Sequence, residues 1–352
     1  MNNWFCNRTP RSFYAVLLIL YAAMCAKGGH AQVTHEVSAN AIIDLSALDV
    51  EGVDKDIVTR GLVEAGYQVS VQQMTGYLSV VMLRGENASD YVGDIQAFSN
   101  IDEDEFEGIY EAWGQYEFTD TNGIKAGFVD LNNDFAFAQN ALEFMNGSMG
   151  LSPTVFTLPT YPDPAASLVV NVGVFPNHTL RVAAAAGSGR NSFSDRFYIG
   201  EWHYQTDNLS IKIGGWEHDG EFLKLTDNSP NQGANGAYAV LEGPIAQSDW
   251  YYYLQLGASD AIVAEIDRHL GLGVISRNAF DNDTLMFGAA YTIVRLSNYL
   301  PVTHSAEKAF EVFVKSQVAT WLAIKPNLQY IANPAGENRN ELVATLRFEL
   351  SY

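Results

Sequence analysis

Ten side chains able to hold or steer a polar solute recur inside alternating segments: Glu111, Trp113, Glu117, Lys125, Arg181, Lys212, Arg295, Lys325, Gln329 and Arg347. Carboxylates, ammonium and guanidinium groups and amides exchange hydrogen bonds with hydroxyls. An indole adds a flat, weakly apolar face. The ten are dispersed over more than 200 positions and form no compact catalytic motif. They read as groups that contact a passing molecule without transforming it, and no catalytic residue, metal or cofactor is assigned.

Other chemistry-bearing patterns fail on spacing. Asp130-Leu131-Asn132-Asn133-Asp134 opens like a calcium loop, but Phe135 occupies the position that needs glycine and Ala141 the position that needs a bidentate glutamate. His203 and His218 flank an expected hairpin without further ligands at metal-site spacing. Asn146-Gly147-Ser148-Met149-Gly150 lacks the first glycine of a nucleophile elbow. Asn87-Ala88-Ser89 is a glycan acceptor only in a eukaryotic secretory setting.

The elements that position the ten are strands. Leu342, Ala344, Leu346, Phe348, Leu350 and Tyr352 fall on one face of the carboxyl-terminal segment, and Val343, Thr345, Arg347, Glu349 and Ser351 on the other. Period-two alternation also marks 109–118, where Tyr110, Ala112, Gly114, Tyr116 and Phe118 make the outward row and Glu111, Trp113, Gln115 and Glu117 the inward one. In 209–215 the apolar Leu209, Ile211 and Ile213 alternate with Ser210, Lys212 and Gly214. Further strands are expected in 168–174, 179–187, 197–205, 250–257, 285–295, 310–324 and 328–332, several separated by turn clusters such as Asn122-Gly123 and Asp207-Asn208.

Composition narrows what such strands build. Hydrophobic residues make up 47 % of the 352, yet mean hydropathy is close to zero. Apolar residues are therefore dispersed, as a transmembrane barrel requires when only every second strand residue meets lipid. No apolar run of membrane-helix length occurs after Gln32. The aromatic run Trp250-Tyr251-Tyr252-Tyr253 is read as part of an interfacial girdle.

Residues 1–31 are read as a cleaved export signal. Arg8 and Arg11 precede the apolar stretch Phe13–Ala26, and Gly29 and Ala31 suit cleavage before Gln32. Both cysteines, Cys6 and Cys25, lie inside it, so the mature chain needs no disulfide framework. The signal holds three basic residues and no acid. The 20 basic and 41 acidic residues of the chain then become 17 and 41, and net charge moves from −21 to −24. That balance excludes nucleic acid as a partner.

Two stretches do not read as barrel wall. Residues 32–56, with Ile42, Leu45 and Leu48 at three-residue spacing, are read as a short periplasmic helix or a disordered segment, which would start the barrel at 57. Residues 136–166 hold Pro153, Pro159, Pro162 and Pro164 and many apolar residues, but only Glu143 and Asp163 carry charge. A long apolar loop is ordered rather than solvated. It is expected to fold into the barrel, or over its mouth, as a constriction.

Several motifs in sequence order then resemble one family. Trp321-Leu322-Ala323-Ile324-Lys325-Pro326-Asn327-Leu328-Gln329-Tyr330, followed by Asn333-Pro334-Ala335-Gly336 and by Leu346-Arg347-Phe348, is similar to the penultimate hairpin, loop and final Arg-containing strand of the OprB carbohydrate-selective porins. Tyr110-Glu111-Ala112-Trp113, Ala126-Gly127-Phe128-Val129-Asp130, Asp134-Phe135, 144–150 and 158–165 resemble it too. Asn327 stands where the family often has Asp, and Ala335 interrupts its Pro-Gly pair. The resemblance covers about residue 60 to the end. It implies an all-β fold: a 16-stranded antiparallel transmembrane barrel in the bacterial outer membrane, with an inward-folded constriction loop and passive diffusion of sugars or other small polar solutes. The implied partners are those solutes, outer-membrane lipids and the barrel-assembly machinery acting on the strand that ends in Tyr352; a homo-oligomer stays open. The competing readings are a barrel-borne hydrolase and a soluble all-β carbohydrate-binding protein.

Overall fold

The computed structural model describes residues 32–50, 57–246, 248–279 and 282–352, so the expected signal at 1–31 lies outside it. The first eight strands are β1 (Val33–Asp49), β2 (Ile57–Val71), β3 (Met74–Gly85), β4 (Phe106–Thr119), β5 (Asn122–Val129), β6 (Ala165–Phe175), β7 (His178–Ala186) and β8 (Arg196–Thr206). The others are β9 (Leu209–Leu223), β10 (Pro230–Pro244), β11 (Trp250–Ser259), β12 (Ile266–Ser276), β13 (Leu285–Leu296), β14 (Ala306–Ala319), β15 (Leu322–Ala332) and β16 (Asn340–Ser351). Each pairs antiparallel with its sequence neighbours, and β1 pairs with β16 from Asn40↔Ser351 to Asp49↔Leu342, closing the barrel. Closure leaves no open sheet edge, which a membrane would not tolerate.

The expected alternation in β16 is present. Leu342 and Leu346 are 43 % and 36 % exposed, whereas Val343 and Arg347, each the next residue, are 0 % and 2 %. Short turns join β2 to β3, β4 to β5, β6 to β7, β8 to β9 and β14 to β15 on the rim that also carries Val33 and Tyr352. Longer loops occupy the opposite rim. The tight β6–β7 turn places Asn177 at φ 66°, a left-handed conformation that Asn accepts more readily than most residues.

Four expectations need correction. Residues 33–49 are neither helix nor irregular segment; they form β1, and the barrel begins at Val33. The three-residue spacing misled because it mixes two faces: Ile42 and Leu48 pack inward beneath loops, while Leu45 points out. Residues 51–56 lie outside the described chain. Tyr110 does not join the outward row. The β3–β4 register shifts between Leu78 and Val80, so two residues of β4, Tyr110 and Glu111, oppose Ser79 and both are buried. Such a bulge resets the face on which side chains emerge. The segment 310–324 is two strands, parted by a turn at 320–321. The run Trp250–Tyr253 is not all girdle, because Tyr251 and Tyr253 pack inside with Phe144 and Phe313.

Candidate pore constriction

The segment 130–164 between β5 and β6 folds into the barrel, as expected, starting six residues earlier than the composition suggested. A loop buried this way must find partners for its backbone amides and carbonyls, and the inner wall supplies them. Glu201 accepts the Ala136 amide at 3.0 Å and Glu242 the Asn140 amide at 2.8 Å. Glu311 accepts two, from Met145 at 2.7 Å and Asn146 at 2.9 Å. In the other direction Lys212 donates to Phe137 O at 2.8 Å, Lys325 to Glu143 O at 3.0 Å, and Gln255 to the carbonyls of Met149 and Gly150. Apolar contact completes the seat: Phe135 and Val155 pack against Val169, Phe197 and Trp216, and Phe144 and Met149 against Tyr253 and Phe313.

The ends of the loop are buckled together. Asp130 accepts hydrogen bonds from Tyr110 Oη at 2.5 Å, Thr160 Oγ1 at 2.6 Å and the Asn132 amide at 2.9 Å. The Leu131 amide donates to Pro159 O at 3.0 Å. The bulge that turns Tyr110 inward thus serves the loop directly.

A second inward loop, 86–105 between β3 and β4, escaped the sequence reading. Phe98 and Val92 pack on Ala309, Ile331 and Val343. Glu307 accepts from the Ile95 amide at 2.8 Å, Gln96 Nε2 at 3.1 Å and the Ala335 amide at 2.7 Å. Gln329 donates to Phe98 O at 2.6 Å. The two loops also meet, through Asn100 N to Met145 O at 2.6 Å and Gly147 N to Ala97 O at 2.8 Å. Its apolar residues, among them Val92, Ile95, Phe98 and Ile101, are scattered between Ser, Asn, Asp and Glu and left little signal in the sequence.

Of the ten side chains singled out, nine face inward and Arg295 does not. Arg295 lies on the exposed row of β13 near its end, paired with Asp267 beside a register irregularity in β12. Lys212, Lys325, Gln329 and Arg347 are each buried, covered by the two loops rather than open to a passing molecule. Arg347 makes a bidentate pair with Asp44, both contacts at 2.7 Å, and reaches Asn100 at 2.9 Å. Glu111 accepts the Asp130 amide at 2.9 Å and Trp113 Nε1 at 3.1 Å. Arg181 donates to Asn171 Oδ1 at 2.6 Å and to Asp134 O. Trp113 lies 5.2 Å from the Tyr77 ring with the Lys125 ammonium 5.0 Å over its face, and Lys125 pairs with Asp134 at 2.6 Å. Glu117, exposed, accepts from Gln115 at 2.8 Å.

Opposite that arc, loop and wall share an alternating ring of four charges. Lys315 contacts Glu143 at 2.9 Å and Glu349 at 2.7 Å; Lys325 contacts the same two carboxylates at 2.9 Å and 2.6 Å. Burial alone would raise the Glu143 carboxyl, but Lys325 and Lys315 outweigh it and hold the group below the ordinary carboxylate range. The inner surface therefore carries many polar groups in locally neutralised sets. Among the described residues no cluster of three or more His, Cys, Asp or Glu side chains is arranged to hold a metal ion.

Comparison with known proteins agrees with this architecture. Pseudomonas putida OprB at high pH superposes with a TM-score of 0.80 at 15 % identity, over 90 % of this chain and 94 % of that one. Its low-pH structure gives 0.58 at 13 % identity, over 90 % and 92 %. An engineered Rh. blastica porin gives 0.54 at 11 % identity, over 91 % and 100 %. These likenesses show the fold. No curated protein sequence matches the chain. Residues 66–352 match the model of the carbohydrate-selective porin, OprB family, and the chain belongs to that family.

Proposed function

We propose that the chain is an outer-membrane porin that lets small polar solutes, carbohydrates foremost, diffuse passively through its lumen. The observation that carries this is the inward loop 130–164, held by Glu201, Glu242 and Glu311 inside a closed barrel of the OprB family. A permeation path must bind weakly enough to release. Locally neutralised charges and the Tyr77–Trp113 pair offer many shallow contacts and no tight cage. The rim of short turns faces the periplasm and the rim of long loops the exterior, as in barrels of this type. A channel is favoured over a hydrolase because the outward rows are largely apolar, and a closed membrane barrel leaves the soluble binding-protein reading without support.

Residues 1–31 act in this reading as the cleaved export signal, and the strand ending in Tyr352 engages the assembly machinery. Purified protein inserted into planar bilayers should give discrete conductance steps that added sugars reduce, and its liposomes should swell in sugar solutions. Folded protein that yields neither steps nor swelling sinks the proposal.

A further inference from the structure

Two recesses adjoin on the inner wall between the constriction loop and the short-turn rim. The first, about 150 Å³, is lined by Gln115, Glu117, Asn171, Thr179 and Arg181. The second, about 230 Å³, is lined by Gln139, His203, Gln205, Ser210, Lys212 and Tyr251. They meet where Thr179 of β7 pairs with His203 of β8. We infer that the two form neighbouring subsites for successive sugar rings, so that the porin retains a disaccharide better than a monosaccharide on the periplasmic side of its constriction. This rests on the porin reading above and adds a preference for chain length.

The chemistry of the linings selects the ligand class. Lys212 is matched by Glu242 at 3.7 Å and the Phe137 carbonyl, while Arg181 is held by the neutral acceptors Asn171 Oδ1 and the Asp134 carbonyl. Glu117 and Asp207 add negative charge. With Asp120 and Glu242 the two linings hold four carboxylates against the two cations Arg181 and Lys212, which disfavours an anionic ligand. A neutral polyol needs donors and acceptors together, and amides and hydroxyls provide both. The Thr179, Gln139 and Gln205 side chains make no hydrogen bond within the described residues, so they are available to one. Tyr251 supplies a ring beside them. Strands about 4.8 Å apart place donors from β6 to β9 at intervals that adjacent pyranose rings can span together.

The test is sugar-dependent current block in planar bilayers, with D-glucose and maltose added on the short-turn side. Maltose should bind at least tenfold more tightly than glucose, and the Asn171→Ala/Gln205→Ala double variant should bring it to the glucose value. Ion conductance, read in the same trace, reports that the barrel has folded and opened. Equal affinities for the two sugars, or an undiminished maltose affinity in a conducting double variant, overturn the inference and leave the porin reading standing. Wild-type protein that conducts no ions overturns both. If the double variant does not insert, Thr179→Val replaces it and is read the same way.

Discussion

Glu311 of β14 accepts the amide of Met145, halfway along the constriction loop, at 2.7 Å, and its second oxygen takes the amide of Asn146. A wall side chain thereby does for a buried loop what a neighbouring strand does within a sheet. The same device recurs at Glu201, Glu242 and Glu307, each facing a different stretch of inward backbone. The loop's path is thus specified by where inward glutamates fall on the barrel.

Replacing Glu311 should loosen this path. Glu311→Ala leaves two buried amides and Asn327 Nδ2 without an acceptor, at about 1–3 kcal/mol for each unsatisfied group. The barrel ladders stay intact, so the protein should still insert. Single-channel recordings should show a larger, noisier conductance than wild type, and limited proteolysis should cut within 136–150.

The Arg347–Asp44 pair should behave as a buried ion pair that closes the barrel. Both side chains are buried, and they join β16 to β1. Removing one partner strands the other charge, at about 3–5 kcal/mol. Arg347→Met should lower the unfolding midpoint in detergent markedly. Adding Asp44→Leu should recover much of the loss, whereas a purely steric role for Arg347 would leave the double variant no better than the single one.

What was legible beforehand follows from what each feature depends on. The faces of β16 and β9 depend only on local alternation, so Leu342, Arg347 and Lys212 fell on the expected sides. Tyr110 did not, because a bulge is a property of pairing between two strands. Arg295 failed for a related reason, lying at a strand end opposite an irregular stretch of β12. The loop 130–164 announced itself through its prolines and low charge. The role of Lys325 and Gln329 beneath the loops stayed hidden, since both reach backbone carbonyls, of Glu143 and Phe98, which every sequence has, and the carboxylates that Lys325 also meets lie far off in the chain. Loop 86–105 was obscured because its apolar residues are few and its Asp and Glu residues read as solvated surface.

Trp113 should matter for sugar rather than for ions. Its face is shared between Lys125 and the Tyr77 ring, and it supports no loop amide. Trp113→Ala should weaken current block by sugars severalfold while raising ion conductance modestly. An unchanged sugar affinity would assign Trp113 to packing alone.

One carboxyl in each inward loop, Glu143 and Asp102, should respond to acid in opposite senses. In loop 130–164 the Glu143 carboxyl is held below its ordinary range by Lys325 and Lys315 against the cost of burial. Its contribution is present above the unfolded-state value and is lost only as pH falls through the lower folded one. In loop 86–105, burial raises the Asp102 carboxyl to about 6, although the Ser89 hydroxyl and amide lower it in part. A raised acid favours the folded loop at low pH, and that advantage fades as pH climbs from the ordinary carboxylate value through about 6. Amide hydrogen exchange between pH 4 and 7 should therefore show 88–102 more protected at the acidic end, while 140–147 changes little over the same range. Asp102→Asn should flatten the first profile, and Glu143→Gln should raise exchange in 140–147 at every pH. A wild-type 88–102 segment that loses protection on acidification would show that Asp102 is stabilised as the carboxylate, the reverse of the environment its burial imposes.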